Sequence, residues 1–216
     1  MSNEFGYIPE SPEQSFGNNK GIFTPTDIYD LTRADKYTNY GQLELIETQT
    51  FSTTVSVVDF LDIKSDIYNV HFMTFNNMKT AGDNQEVTNV RLYENGVLES
   101  GSVYQRATQR ATNVPGLEFG ESRNTGDTRF NDIFGTGTAT GESVNGYMYF
   151  YNLGDSTKYS FVTAQVAGLS SNAQYMGAFG SGVLPQASFV DGIQVKKNSG
   201  NYSDFSVSLY GIKEYS

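Results

Sequence analysis

From Leu43 onwards, short runs of alternating apolar and polar residues are broken by Gly, Asn, Asp or Ser, which predicts strands rather than helices. Residues 43–50 open the series, 52–60 follow, and 67–75 make a third strand with Tyr68, Val70 and Phe72 on one face and Asn69, His71 and Met73 on the other. Residues 76–83 read as a loop. The next strand, 86–93, ends at Asn95-Gly96, a pair that tolerates positive φ, so residues 97–104 should pair back as a hairpin. Between 105 and 142 Thr, Asn, Arg and Gly displace the aliphatic residues, which predicts an elaborated surface loop with room for a short helix or strand. Alternation resumes at 144–151, where Tyr147, Tyr149 and Tyr151 interleave with Met148 and Phe150, and continues through 159–166, 174–179, 188–195 and 205–212. About eight or nine strands with so little helical periodicity predict an all-β fold. The expected architecture is a two-sheet antiparallel sandwich of the jelly-roll kind, occupying residues 43–216 as one domain.

Residues 1–42 break this pattern. Phe5, Tyr7, Phe16, Phe23, Tyr29, Tyr37 and Tyr40 stand apart, separated by Gly, Pro, Asn, Asp, Ser and Thr. Isolated apolar side chains cannot offset the backbone entropy lost on ordering, so this stretch is expected to form an extended N-terminal arm that orders on a partner surface. Pro25 holds Thr24 in extended geometry, and Thr26-Asp27 is suited to cap a short turn over 28–31. Phe23, Ile28, Tyr29 and Leu31 are then the apolar anchors, with Thr24 and Pro25 shaping the backbone that presents them.

Charge and composition narrow the partners. A formal charge of −10, with no basic cluster beyond Lys196-Lys197, argues against a nucleic-acid backbone as ligand. No apolar run approaches the roughly 20 residues that span a bilayer, and no secretory leader is visible, so a soluble product made in the cytoplasm is expected. The absence of cysteine excludes disulfides and thiolate metal sites. No heptad or short repeat suggests a fibre shaft.

Candidate chemistry is sparse. A single histidine, His71, excludes multi-histidine zinc sites; it is read as a partly exposed strand residue. Glu118, Glu121, Asp127 and Asp132 fall in the 105–142 region, where loop spacing does not fix the separation that glycoside hydrolysis requires. They read as solvated charges or as partners of Arg123 and Arg129. Gly135–Gly141 lacks the lysine and following helix of a phosphate loop and reads as a turn, as does Gly177–Gly182. No cofactor or metal is expected. Tyr147, Tyr149 and Tyr151 are the remaining candidates, as a subunit interface or as a platform for sugar rings.

Several segments carry a resemblance. Ile67-Tyr-Asn-Val-His-Phe72 leading to Asp83-Asn-Gln, Gly146-Tyr-Met-Tyr-Phe-Tyr-Asn152 with Ser156-Thr-Lys-Tyr159, Gly192-Ile-Gln-Val195, Ser199-Gly-Asn-Tyr and the ending Leu209-Tyr-Gly-Ile-Lys213 resemble the small jelly-roll domains of structural proteins in tailed bacteriophages, cyanophages in particular. Gly21-Ile-Phe-Thr-Pro-Thr-Asp-Ile-Tyr-Asp-Leu31 is similar to their N-terminal docking segments. The resemblance implies a non-enzymatic virion protein on capsid, neck or tail, attached through its arm to other virion components. The tyrosine-rich strands suggest a homo-oligomer, with a trimer expected. The competing expectation is a carbohydrate-binding adhesin module of a tail fibre that meets a host-surface glycan.

Overall fold

The computed structural model describes residues 14–15, 18–19, 24–34, 43–82, 88–116, 119–133, 135–170 and 173–213, without the side chains of 14–15, 18–19 and 131–133. They belong to two compact units, Met1–Gln42 and Leu43–Ser216.

The first unit holds a small antiparallel pair, β1 (Gln14–Ser15) with β2 (Asn18–Asn19), and one helix, α1 (Pro25–Arg33). The helix corrects the expectation of a short turn capped by Thr26-Asp27. Thr24 is the N-cap, and its hydroxyl oxygen accepts from the Asp27 amide at 3.2 Å. The Asp27 carboxylate in turn accepts from the Thr24 amide at 2.8 Å and the Thr24 hydroxyl at 2.6 Å. This capping box satisfies amides that a helix start leaves unpaired, and Pro25 fits the first turn because its missing N–H would have no partner there. The same hydrogen bonds from Thr24 hold the Asp27 carboxyl below its ordinary value.

The second unit contains β3 (Leu43–Phe51), β4 (Val57–Phe60), β5 (Val70–Met78), β6 (Thr88–Glu94), β7 (Val97–Leu98), β8 (Tyr104–Thr112), β9 (Phe119–Asp127), β10 (Phe130–Ile133), β11 (Val144–Tyr151), β12 (Tyr159–Leu169), β13 (Tyr175–Ala187), β14 (Val190–Lys197) and β15 (Phe205–Ile212). An eight-stranded sheet runs β3-β15-β5-β11-β12-β13-β8-β9, and a five-stranded sheet runs β10-β6-β14-β4 with β7 added on β6. The two form an antiparallel sandwich.

The pairing is nested. β3 pairs with β15, β4 with β14, β5 with β11 and β6 with β10, all antiparallel, and successive pairs fall in alternate sheets. Closure comes from β15 on β5 and β14 on β6. A double-stranded ribbon rolled in this way is the jelly roll that the strand pattern predicts. Two hairpins depart from the plain roll: β12–β13 lies between β11 and β14 in the chain, and β8–β9 lies between β7 and β10. Both extend the larger sheet beyond β11.

The core lies where the sheets overlap, with Phe60, Met73, Phe75, Met148, Phe150, Ile193, Val207 and Leu209 fully buried. Tyr104 links the layers at the sandwich margin. Its hydroxyl accepts from the Leu92 amide of β6 at 3.0 Å and donates to the Glu99 carbonyl at 3.1 Å, and its ring meets Phe130 edge-on at 4.8 Å.

Several local expectations change. His71 is buried, not partly exposed, because the inward face of β5 is His71-Met73-Phe75, while Val70 and Phe72 face outward. Tyr68 precedes the strand and gave a misleading phase. Residues 76–78 continue β5, and of 52–60 only the last four form a strand. Asn95 and Gly96 both take positive φ as a hairpin turn requires, but β7 pairs for just two residues before the chain crosses to the other sheet. The 105–142 region holds β8, β9 and β10 instead of a long loop, and Gly177–Gly182 lies within β13. Residues 135–141 are the turn expected of them.

Candidate functional site

Two candidate surfaces were legible in the sequence. On α1, Thr24 and Pro25 form the helix start, Ile28 and Leu31 share one half-buried face, and Tyr29 is 63 % exposed. No residue of the helix is buried. Phe23 lies outside the described residues.

The second surface is the outward face of the eight-stranded sheet. Met148 and Phe150 of β11 point into the core, so strict alternation turns Tyr147, Tyr149 and Tyr151 away from it. The register places Tyr149 opposite Phe72 of β5, and Phe72 opposite Tyr210 of β15. Their rings form one cluster, with Phe72 centroids 4.7 Å from Tyr149, 5.8 Å from Tyr147 and 6.1 Å from Tyr210. Tyr147 and Tyr149 meet edge-on at 5.8 Å, and Tyr149 stacks on Tyr151 at 6.3 Å. Such tilted and edge-on pairs hold the rings in fixed orientations. Their polar rims are anchored as well: Tyr147 donates to the Gln165 side-chain oxygen at 2.8 Å, and the Tyr151 hydroxyl lies 3.5 Å from the Thr163 hydroxyl.

The cluster belongs to a wider uncharged surface. Across β15, β5, β11, β12, β13 and β8 the outward positions hold Tyr, Phe, Val, Ile, Leu, Ala, Gly, Ser, Thr, Asn and Gln, and no Asp, Glu, Lys or Arg. Phe161, Phe179 and Tyr175 extend the exposed aromatic area towards β8. Beyond it a groove of about 410 Å³ runs over Gln109 and Ala111 between Phe119 and Phe179, and there the uncharged surface ends, since Arg110 and Glu121 also line it. Sequence reading identified the three tyrosines but missed Phe72, Phe161, Phe179 and Tyr210, whose outward phase becomes visible when strand neighbours are known.

Other candidates resolve differently. His71 Nε2 contacts the Ile63 carbonyl at 2.7 Å, while Nδ1 is buried without a hydrogen-bond partner. A neutral imidazole with its proton on Nε2 fits this geometry. Burial holds it below its ordinary value, the Ile63 hydrogen bond pulling the other way. Asp127 accepts from Arg106 Nε at 2.8 Å within a pair whose side chains are 8 % and 10 % exposed, with Arg129 Nε at 3.9 Å. Burial pushes the Asp127 carboxyl up, but hydrogen bonds from Arg106 and the Thr128 amide and the charges of Arg106 and Arg129 outweigh it and leave the carboxyl below its ordinary value. Asp127 thus pairs chiefly with Arg106, a partner the loop reading did not offer. Glu121 is exposed on β9, Glu118 lies outside the described residues, and Asp132 is described in its backbone alone.

Among the described residues no three His, Asp or Glu side chains are grouped to hold a metal ion, and no helix is long and apolar enough to cross a membrane. No protein-family model, curated protein or solved structure matches the chain.

Proposed function

We propose that this chain is a non-enzymatic structural protein of a phage virion, attached through residues 1–42 and presenting its jelly roll at the capsid, neck or tail. The observation that carries the reading is the broad, uncharged, ring-bearing face of the larger sheet, in a chain of net charge −10. An acidic protein that keeps the outward positions of six adjacent strands free of charge has a surface suited to being covered by another protein. The jelly roll, an architecture shared by viral capsid and lectin domains, supports the same reading, as do the segments that resemble phage proteins. The α1 anchors Ile28, Tyr29 and Leu31 add a second attachment point, on a separate compact unit.

Deleting residues 1–42 tests the docking role. The expected result is a folded core that fails to join particles; normal incorporation of the truncated core would overturn it. The outward tyrosine cluster favours one further reading, a carbohydrate-binding adhesin module, since fixed rings with polar rims suit the C–H faces of sugars. Glycan-array binding that is lost in Tyr147→Ala and Tyr149→Ala would support the adhesin, and loss of particle incorporation without any glycan binding would support the structural role.

A further inference from the structure

The far edge of the larger sheet is β9, whose nine residues pair with β8 on one side only. Edge strands normally carry protection against pairing with another chain, such as lysine, proline or a very short length. β9, Phe-Gly-Glu-Ser-Arg-Asn-Thr-Gly-Asp, has no lysine or proline and is nine residues long; its guards are the charges of Glu121 and Arg123 and a bulge confined to its end between Asn124 and Asp127, which leaves 119–124 in regular register. Its outward positions hold Phe119, Glu121, Arg123 and Thr125, and Phe119 is 88 % exposed, the most exposed large apolar residue described. Among the described residues neither Glu121 nor Arg123 makes an ion pair.

The inward side of this edge is braced. Arg106 binds Asp127 at 2.8 Å and donates to the Ser122 hydroxyl at 2.9 Å, Asn124 contacts the same Asp127 carboxylate at 3.4 Å, and the Arg110 side chain lies against Gly120, where a Cβ would collide with it. These contacts fix β9 from beneath while its backbone edge and outward side chains stay uncovered.

We infer that β9 is a self-recognition edge, pairing antiparallel with β9 of a second copy about a two-fold axis at Ser122. Symmetry restricts the choice of register. An axis normal to the sheet keeps each copy's outward face on the same side, so facing residues must share a face and the axis must pass through a residue position. Centred on Glu121 it would set two carboxylates against each other, and centred on Arg123 two guanidinium groups. Centred on Ser122 it sets Glu121 of each copy against Arg123 of the other, giving two opposite-charge pairs, and Phe119 against Thr125. The charge order of β9 is thus complementary to itself in that register and repulsive in those one residue either side. The two eight-stranded sheets then run on as one, with the Glu121–Arg123 pairs forming a charged seam between their uncharged faces. The tyrosine count behind the expected trimer sets no symmetry of its own, whereas this edge specifies two-fold pairing.

Charge reversal in the full chain tests the idea by sedimentation velocity. The wild type should contain dimer at roughly 0.1 mM chain, as a small edge interface allows. Arg123→Glu and Glu121→Arg should each weaken association by about tenfold or more, because like charges then face each other. The double variant E121R/R123E should dimerise like wild type. An equimolar mixture of the two single variants should form a heterodimer, which also shows that both are folded. A wild-type monomer at that concentration, a trimer, a dimer indifferent to either reversal, or a mixture that stays monomeric would each overturn the proposal.

Discussion

One sheet of this protein lives in two environments. Its β15, β5 and β11 strands face the smaller sheet, and Met73, Phe75, Met148, Phe150, Val207 and Leu209 there are fully buried, whereas β3 at the sheet's edge has no buried residue. Its β12-β13-β8-β9 half leaves the shelter of that layer by degrees. Val162, Ala164 and Val166 still face inward as small apolar residues on β12, β13 offers Ala178, Gly180 and Gly182, β8 offers Arg106, Thr108 and Arg110, and β9 ends in Ser122 and Asn124. Inward residue size and polarity therefore track the layer opposite, not membership of the sheet. Along β8 and β9, backbone pairing and the Arg106–Asp127 pair supply what hydrophobic burial supplies along β5 and β11.

The contrast breaks most sharply at paired phenylalanines. Phe150→Ala, in the covered half, should cost about 4 kcal/mol in urea unfolding, because its ring is buried on all sides. Asp127→Ala should cost about 3 kcal/mol by stranding the Arg106 guanidinium, whose side chain is 8 % exposed. Gly182→Val should cost about 2 kcal/mol, since a Cβ there would strike the Phe130 ring that supports the extension. In a double-mutant cycle with Phe130→Ala the two losses should be less than additive.

A smaller effect follows from His71. Its folded-state value lies below 6.5, so the folded protein binds fewer protons than the unfolded chain; stability is complete above pH 6.5 and is lost as pH falls below it towards the folded value. Glu94, raised above 4.5 chiefly by burial, acts in the opposite sense, favouring the folded state as it becomes protonated at lower pH. Comparing thermal melts of wild type and His71→Gln between pH 7 and 5 isolates the histidine, whose variant should lack that part of the slope. Least affected should be Phe179→Ala, within about 0.5 kcal/mol, because that ring is 59 % exposed on the uncovered extension.

The same contrast explains what could be read from sequence. Strands β11, β12, β14 and β15 announce themselves because the sandwich demands apolar residues at alternate positions. β8, written Tyr-Gln-Arg-Ala-Thr-Gln-Arg-Ala-Thr, and β9 carry no such demand beyond Tyr104, so a periodicity criterion sees a loop. The alternation of Tyr147, Tyr149 and Tyr151 with Met148 and Phe150 marked β11 as a strand with one face in the core, but which face turned outward needed the structure, and Phe72 was assigned with Tyr68, a residue outside the strand. Helix α1 had a signal that went unused: Thr24-Pro25-Thr26-Asp27 has the spacing of a capping box with proline in the first turn.

The place of β15 in the roll bears on how the protein is made. Thr48 and Ser208, whose hydroxyls meet at 2.9 Å, are 160 residues apart in the chain, and β15 fills the gap between β3 and β5. On the ribosome β3 must wait, without its neighbour, until nearly the whole domain has been synthesised. A nascent chain that still lacks β15 exposes two raw sheet edges in place of a finished wall, so the fold closes only once β15 is available.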